Sequence, residues 1–155
     1  MSHTPENFPI FPLFFEVTEI QNKMETMRVR TKDKQEFVEI TEEVREKVRS
    51  KGWQNGVLFI FVPHTTAGIF INEHADPDVA DDISAVSSQI VPDRFPYRHG
   101  EGNSPAHVKS VLFNSSLYVI VEKGDLILGT WQGIFFAEFD GPRSREVYLK
   151  FISQA

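Results

Sequence analysis

The sequence contains no cysteine. That excludes disulfides, thiolate metal sites and a cysteine nucleophile, and it fits a reducing compartment. Long apolar runs are missing as well, since nothing approaches the ~18 residues that a membrane-spanning helix needs. The apolar run Phe8–Phe15 is interrupted by Pro9 and Pro12 and has no basic region before it, so it does not read as a secretory signal. A cytoplasmic protein with no membrane partner is the expectation. A basic surplus is absent too: 16 Lys and Arg stand against 22 Asp and Glu, a formal net charge of -6. Neutralising many phosphates requires a cationic face, so nucleic acid is not expected as a partner. A small anion needs only a few local cations. Nor does any Rossmann or P-loop glycine pattern stand between a strand and a helix.

What is present points to one domain. A chain of 155 residues sits near the common domain size and can bury roughly 70% of its unfolded surface. Fourteen phenylalanines against three tyrosines suggest a thick apolar core and a buried subunit interface. Residues 1–13 carry three prolines and read as a loosely ordered leader, with the folded domain over 14–155. Strands are expected at Phe14–Ile20 and Met27–Thr31, on either side of the polar Gln21–Glu25. Thr41 reads as the N-cap of a helix with Glu42 and Glu43 in its first turn. Ile40, Val44 and Val48 form its apolar stripe, and Gly52 ends it. Val57–Val62 is apolar on both faces, as a central strand is, and Pro63 stops it. Ala67–Asn72 follows as a strand.

Asp76 before Pro77 marks a second helix start, and Val79, Ile83, Val86 and Ile90 recur at helical spacing. Residues 91–103 read as loop, and Ser104-Pro105 opens a short helix to about Phe113. Strands follow at Leu117–Val121, Leu126–Leu128, Thr130–Phe139 and Arg145–Ile152. The sum is an α+β, β-rich single domain with a largely antiparallel sheet and about three helices.

Four clusters can carry chemistry. His64-Thr65-Thr66 follows the buried strand, where a loop presents side chains from a rigid platform; a turn with self-satisfied threonines is the plainer reading. In Asn72-Glu73-His74, Glu73 stands between strand and helix and suits a general base or a metal ligand, while His74 reads as a solvated loop residue. The aspartates after it are explained by helix capping. The third cluster runs Arg98 to His107 and contains two glycines and Asn103 before a helix N-terminus, a place where anions bind. His99 and His107 can face one point there, and with His64 they would make a three-imidazole metal site suited to Zn²⁺. The alternative is a capped loop with two ordinary histidines. The fourth cluster is Gly129-Thr130-Trp131-Gln132 with Glu138 through Arg145. Arg143 after Gly141-Pro142 offers a planar fork for phosphate or carboxylate, whereas Trp131 and Gln132 fit plain sheet roles.

Taken together, these motifs resemble the YjbQ-like family from about Val17 to Ile152. The ordered set His64-Thr65-Thr66-Ala67, Ile71-Asn72-Glu73, Asp76-Pro77-Asp78, Asp82, His99 to His107, Gly129-Thr130-Trp131-Gln132 and Glu138 to Arg143 carries the resemblance. It implies a β-rich α+β fold, a homotrimer, a polar pocket at the histidine loops and a thiamine-phosphate synthase activity. That activity joins a pyrimidine pyrophosphate to a thiazole phosphate and releases pyrophosphate. The resemblance also places cysteine at position 137 and a basic residue after Arg143 in many relatives, where this chain has Ala137 and Ser144.

The expected function is therefore an enzyme acting on a phosphorylated small molecule. His64, Glu73, His99 and Arg143 are its catalytic candidates. Thr65, Thr66, Asn103, Gln132, Arg143 and Arg145 are its ligand contacts, and His64, His99 and His107 its metal ligands. Zn²⁺ is the ion that imidazoles favour, and Mg²⁺ the one that phosphate chemistry uses. The alternatives are a metal-assisted hydrolase with Glu73 as base and a non-catalytic trimer that binds a metal or an anionic metabolite.

Overall fold

Strand β8 (Ser144–Ser153) shows how the core is made, because its inward positions Arg145, Val147, Leu149 and Phe151 alternate with more exposed neighbours. In the computed structural model, which describes residues 23–154, β8 lies in a five-stranded antiparallel sheet. Its neighbours are β1 (Glu25–Arg30) and β3 (Gly56–Phe61), and β3 in turn pairs with β5 (Ser116–Glu122) and through it with β6 (Asp125–Leu126). A second, three-stranded antiparallel sheet sets β7 (Gln132–Glu138) between β2 (Glu36–Glu39) and β4 (Ala67–Glu73). The expected strand Phe14–Ile20 and the leader lie outside the described residues.

The main core lies between the two sheets. Leu58, Ile60, Val119 and Val121 from the larger sheet meet Ile69, Ile134 and Phe136 from the smaller. Helix α1 (Thr41–Ser50) adds Val44 and Val48, both fully buried, so its apolar stripe falls where the spacing predicts. Gly52 ends the helix at φ 65°, a left-handed conformation that suits glycine. Thr41 is not the N-cap, however. Ile40 holds that position without a side-chain cap, and the Thr41 hydroxyl accepts the Ile134 N–H (2.9 Å) and donates to Glu39 Oε1 (2.9 Å). Tying the helix to β7 has won over capping it.

Strand β7 is buried on both faces from Gly133 onward. Ile134 and Phe136 enter the main core, while Ala137 meets Ala106 and Phe139 in a second cluster with Phe37, Phe70 and Phe113. That second cluster seats helix α3 (Ser104–Leu112) on the smaller sheet. The fold is α+β, with three helices and only antiparallel pairings among the described residues. Two expectations need correction. The apolar stripe of helix α2 (Pro77–Ile90) is uncovered in the single chain, with Val86 51% and Ile90 67% exposed, and only Ser87 of that helix is buried. Strand β3 is central, yet Phe59 and Phe61 on its outer face are each 44% exposed.

Candidate functional site

The turn from β7 to β8 is organised by a buried ion pair. Glu138 is fully buried, and Arg145 grips it twice, from Nε to Oε2 (2.7 Å) and from Nη2 to Oε1 (2.6 Å). The N–H groups of Phe139 and Asp140 and the hydroxyl of Thr31 also donate to that carboxylate. Burial pushes the Glu138 carboxyl upward, but Arg145, the Asp140 N–H and Thr31 outweigh it and hold it below the usual range. Arg145 also donates to Thr66 Oγ1 (2.9 Å). The two residues read as ligand contacts thus meet each other and Glu138 in the interior, where Arg145 positions Thr66. Gly141 permits this turn, because a Cβ there would lie 2.3 Å from the Asp33 carbonyl oxygen.

Arg143 leaves the turn with its side chain about half exposed. Its Nε donates to the Asp140 carbonyl (2.7 Å) and its Nη2 to Asp140 Oδ2 (2.8 Å). Asn103 Nδ2 reaches the same carboxylate oxygen at 3.3 Å. The glycine loop and the Gly-Pro turn therefore do meet, through Asp140, but the arginine fork is engaged within the protein.

On one side of α3 the histidines gather. His64 and His107 line a single depression of about 620 Å³ together with Thr65, Ser110 and Asn114. His99 contacts His107 edge to face, with ring centroids 5.3 Å apart. His64 Nε2 accepts the Glu146 N–H at 3.0 Å, which places the neutral ring's proton on Nδ1. Burial, reinforced by the positive charge of Arg145, lowers the His64 pKa and keeps the ring uncharged at neutral pH. These contacts do not build the expected three-imidazole centre. Among the described residues no three His, Asp or Glu side chains are grouped to hold a metal ion, and the Nε2 lone pair of His64 is already used. No metal step is derived from them.

Other candidates fall elsewhere. Glu73 is at the opposite end of β4 from the His64 loop, six strand residues or roughly 20 Å away, too far to act as a base beside His64. Gln132 is its register partner across the sheet and closes a turn by accepting the Gly129 N–H (2.8 Å). His74, read as solvated, pairs with Glu39 at 2.9 Å.

On the other side of α3 lies a pocket that sequence reasoning did not find. It has a volume of about 330 Å³, and Lys109, only 4% exposed, lines it. The Lys109 ammonium donates to Gln35 Oε1 (2.6 Å) and Ser88 Oγ (3.0 Å). The i+2 position of His107 on a short helix carries no signal of such burial; only the packing of distant residues creates it.

An antiparallel two-sheet protein, with one short helix separating a histidine-lined depression from a lysine-lined pocket, is the class that this geometry defines. Residues 25–154 match the family model described as UPF0047 protein YjbQ-like, and the chain belongs to that family. It is 48% identical to the UPF0047 protein YugU of Bacillus subtilis over 128 residues, 82% of this chain and 97% of the relative. A UPF0047 protein of Methanocaldococcus jannaschii is likewise 48% identical, over 81% of this chain and 91% of its own length. Among solved structures, an uncharacterized conserved protein of the family from Clostridium acetobutylicum aligns with a TM-score of 0.80 at 48% identity, covering 83% of this chain and 99% of that one. A YbjQ-like protein of unknown function from Sulfolobus solfataricus aligns at 0.81 with 31% identity, over 85% and 97% of the two chains.

Proposed function

We propose that the chain is an enzyme that acts on a small phosphorylated molecule by imidazole acid–base chemistry at the histidine side of α3. One observation carries this reading: His64 and His107 arrive from separate loops and line the same polar depression. His64 is neutral and oriented by the Glu146 N–H, so it offers a fixed Nδ1–H donor, and His107 supplies the imidazole for proton transfer. The His107 imidazole takes the proton of the attacking nucleophile, the Nδ1–H of His64 donates to the charge that develops on a phosphoryl oxygen, and the leaving oxygen takes its proton from solvent. Thr65 and Asn114 supply a hydroxyl and an amide for the ester oxygens, while the Ser110 hydroxyl donates to the Ala67 carbonyl.

The finer assignment suggested by the resemblance, thiamine-phosphate synthesis, needs cations on the departing pyrophosphate. Arg145 is buried and turned to Glu138 and Thr66, and Arg143 is held by Asp140. That supports phosphate-ester cleavage or transfer ahead of pyrophosphate release. The active form is proposed to be a homotrimer, because Phe59, Phe61, Tyr118, Ile120 and Ile152 leave the outer face of the larger sheet apolar and uncovered.

The test is a turnover screen on the assembled protein, whose mass by light scattering should be about three times the 17.8 kDa chain. Phosphate monoesters and the pyrimidine pyrophosphate–thiazole phosphate pair are offered to wild type and His64→Ala. Wild type should turn over a monoester, and the variant should lose at least about a hundredfold. Ligand-induced stabilisation without product would identify a binding module instead. Product from the coupling pair alone would restore thiamine-phosphate synthesis.

A further inference from the structure

Lys109 is a buried cation without an anion. Among the described residues no carboxylate lies within ion-pair distance of it, and its two hydrogen-bond partners, Gln35 and Ser88, are neutral. An ammonium removed from water and left unpaired is costly, so a fold rarely keeps one without a use. Burial lowers the Lys109 pKa; the nearest opposing influence is Asp93, which raises it from a distance, while Lys34 lowers it further. The pocket that Lys109 lines is also flanked by Lys34.

Behind the same lining Asn103 is fixed in place. Asn103 Oδ1 is the one buried side-chain polar atom without a hydrogen-bond partner among the described residues. The orientation of that amide is fixed by chemistry: its Nδ2 donates to the Asp140 carboxylate, so Oδ1 must point the other way. Asn103 is also the N-cap of α3 but makes no side-chain cap bond. That oxygen has no accessible surface, so it is sealed behind the lining, and the polar group that meets the cavity is the Lys109 ammonium, with Phe139, Pro105 and Ala106 as an apolar surface beside it.

We infer that this pocket binds a small carboxylate, held on the Lys109 ammonium. A carboxylate is preferred to a phosphate by charge. The two lysines face Asp93 and Asp140 in the same lining, and Arg143 neutralises Asp140, which leaves room for about one negative charge. A phosphate dianion would be repelled by Asp93. At about 330 Å³ the cavity suits a metabolite at the small end of the usual range. The site is independent of the histidine reading, because α3 separates the two and they share no lining residue.

The experiment is an NMR titration of the ¹⁵N-labelled full chain with glycolate, acetate and inorganic phosphate as probes. Glycolate and acetate should both perturb the amides of Ser88 and Lys109 in the millimolar range and bind more tightly than phosphate. Lys109→Met, which keeps the volume but removes the charge, should weaken glycolate about ten- to hundredfold. Lys34→Ala, which removes the second cation of the lining, should weaken glycolate by a smaller factor, a readout that stands even if the Lys109 variant does not fold. No movement of these amides at tens of millimolar glycolate overturns the proposal. So do equal affinities in wild type and folded Lys109→Met, a Lys34→Ala variant that binds glycolate as tightly as wild type, or tighter binding of phosphate. The turnover screen with His64→Ala stands or falls separately.

Discussion

Two charges are buried, Glu138 at the end of β7 and Lys109 on α3, and the fold treats them in opposite ways. Glu138 is saturated: a bidentate arginine, a hydroxyl and two backbone N–H groups satisfy its two oxygens. Lys109 has two neutral partners and an open cavity. A charge that serves architecture is surrounded until nothing can be added, whereas a charge that serves a ligand keeps a direction free. The difference separates the structural part of this region from its binding part without appeal to the residue types themselves.

Breaking the saturated site should give the largest effect. Arg145→Met leaves Glu138 buried and uncompensated, and removing one partner of such a pair costs about 3–5 kcal/mol. Urea denaturation should show that loss in the midpoint. A loss below about 1 kcal/mol would mean that the pair is solvated in solution and that the contrast with Lys109 is not one of satisfaction.

A smaller effect comes from His64, which adjoins the same pair. Its folded pKa is lowered, so as pH falls through the ordinary value of about 6.5 the unfolded chain takes up a proton that the folded chain resists. Stability should therefore decline as pH drops from there towards the lower folded value, and be unaffected by this group above it. Protonation would also remove the acceptor that holds the Glu146 N–H. Urea midpoints measured from pH 7.5 down to 5 (about the window set by that ordinary value) should fall more steeply in wild type than in His64→Gln. Parallel curves would show that His64 is solvated and not the oriented Nδ1–H donor proposed above.

Much of this architecture was legible in the chain. The α1 stripe, the Gly52 stop and the Asp76-Pro77 helix start depend on residues within one or two turns of each other, and all appear as read; the Asp76 carboxylate accepts the Asp78 N–H at 3.0 Å. Strand β2 was not read, because Glu-Phe-Val-Glu is four residues long with an acid at each end and is made a strand by pairing with β7. The inward turn of Arg145 did have a signal: it shares strand parity with Val147, Leu149 and Phe151, all buried. Glu73 was misplaced for a related reason, since closeness in sequence becomes distance along an extended strand. Lys109 was the hardest to find. On a short helix it reads as a solvated lysine, and it is buried by Gln35, 74 residues away, and Ser88, 21 residues away.

The contrast between the two charges is tested most directly by the titration of the Lys109 ammonium itself, followed through its ¹³Cε and ¹⁵Nζ resonances with and without glycolate. The account predicts a pKa below the ordinary lysine value of about 10.4 in the free protein, rising when glycolate saturates the pocket, because a bound anion favours the charged form. An ordinary value that glycolate leaves unchanged would contradict it, and would place Lys109 among the solvated lysines of the surface.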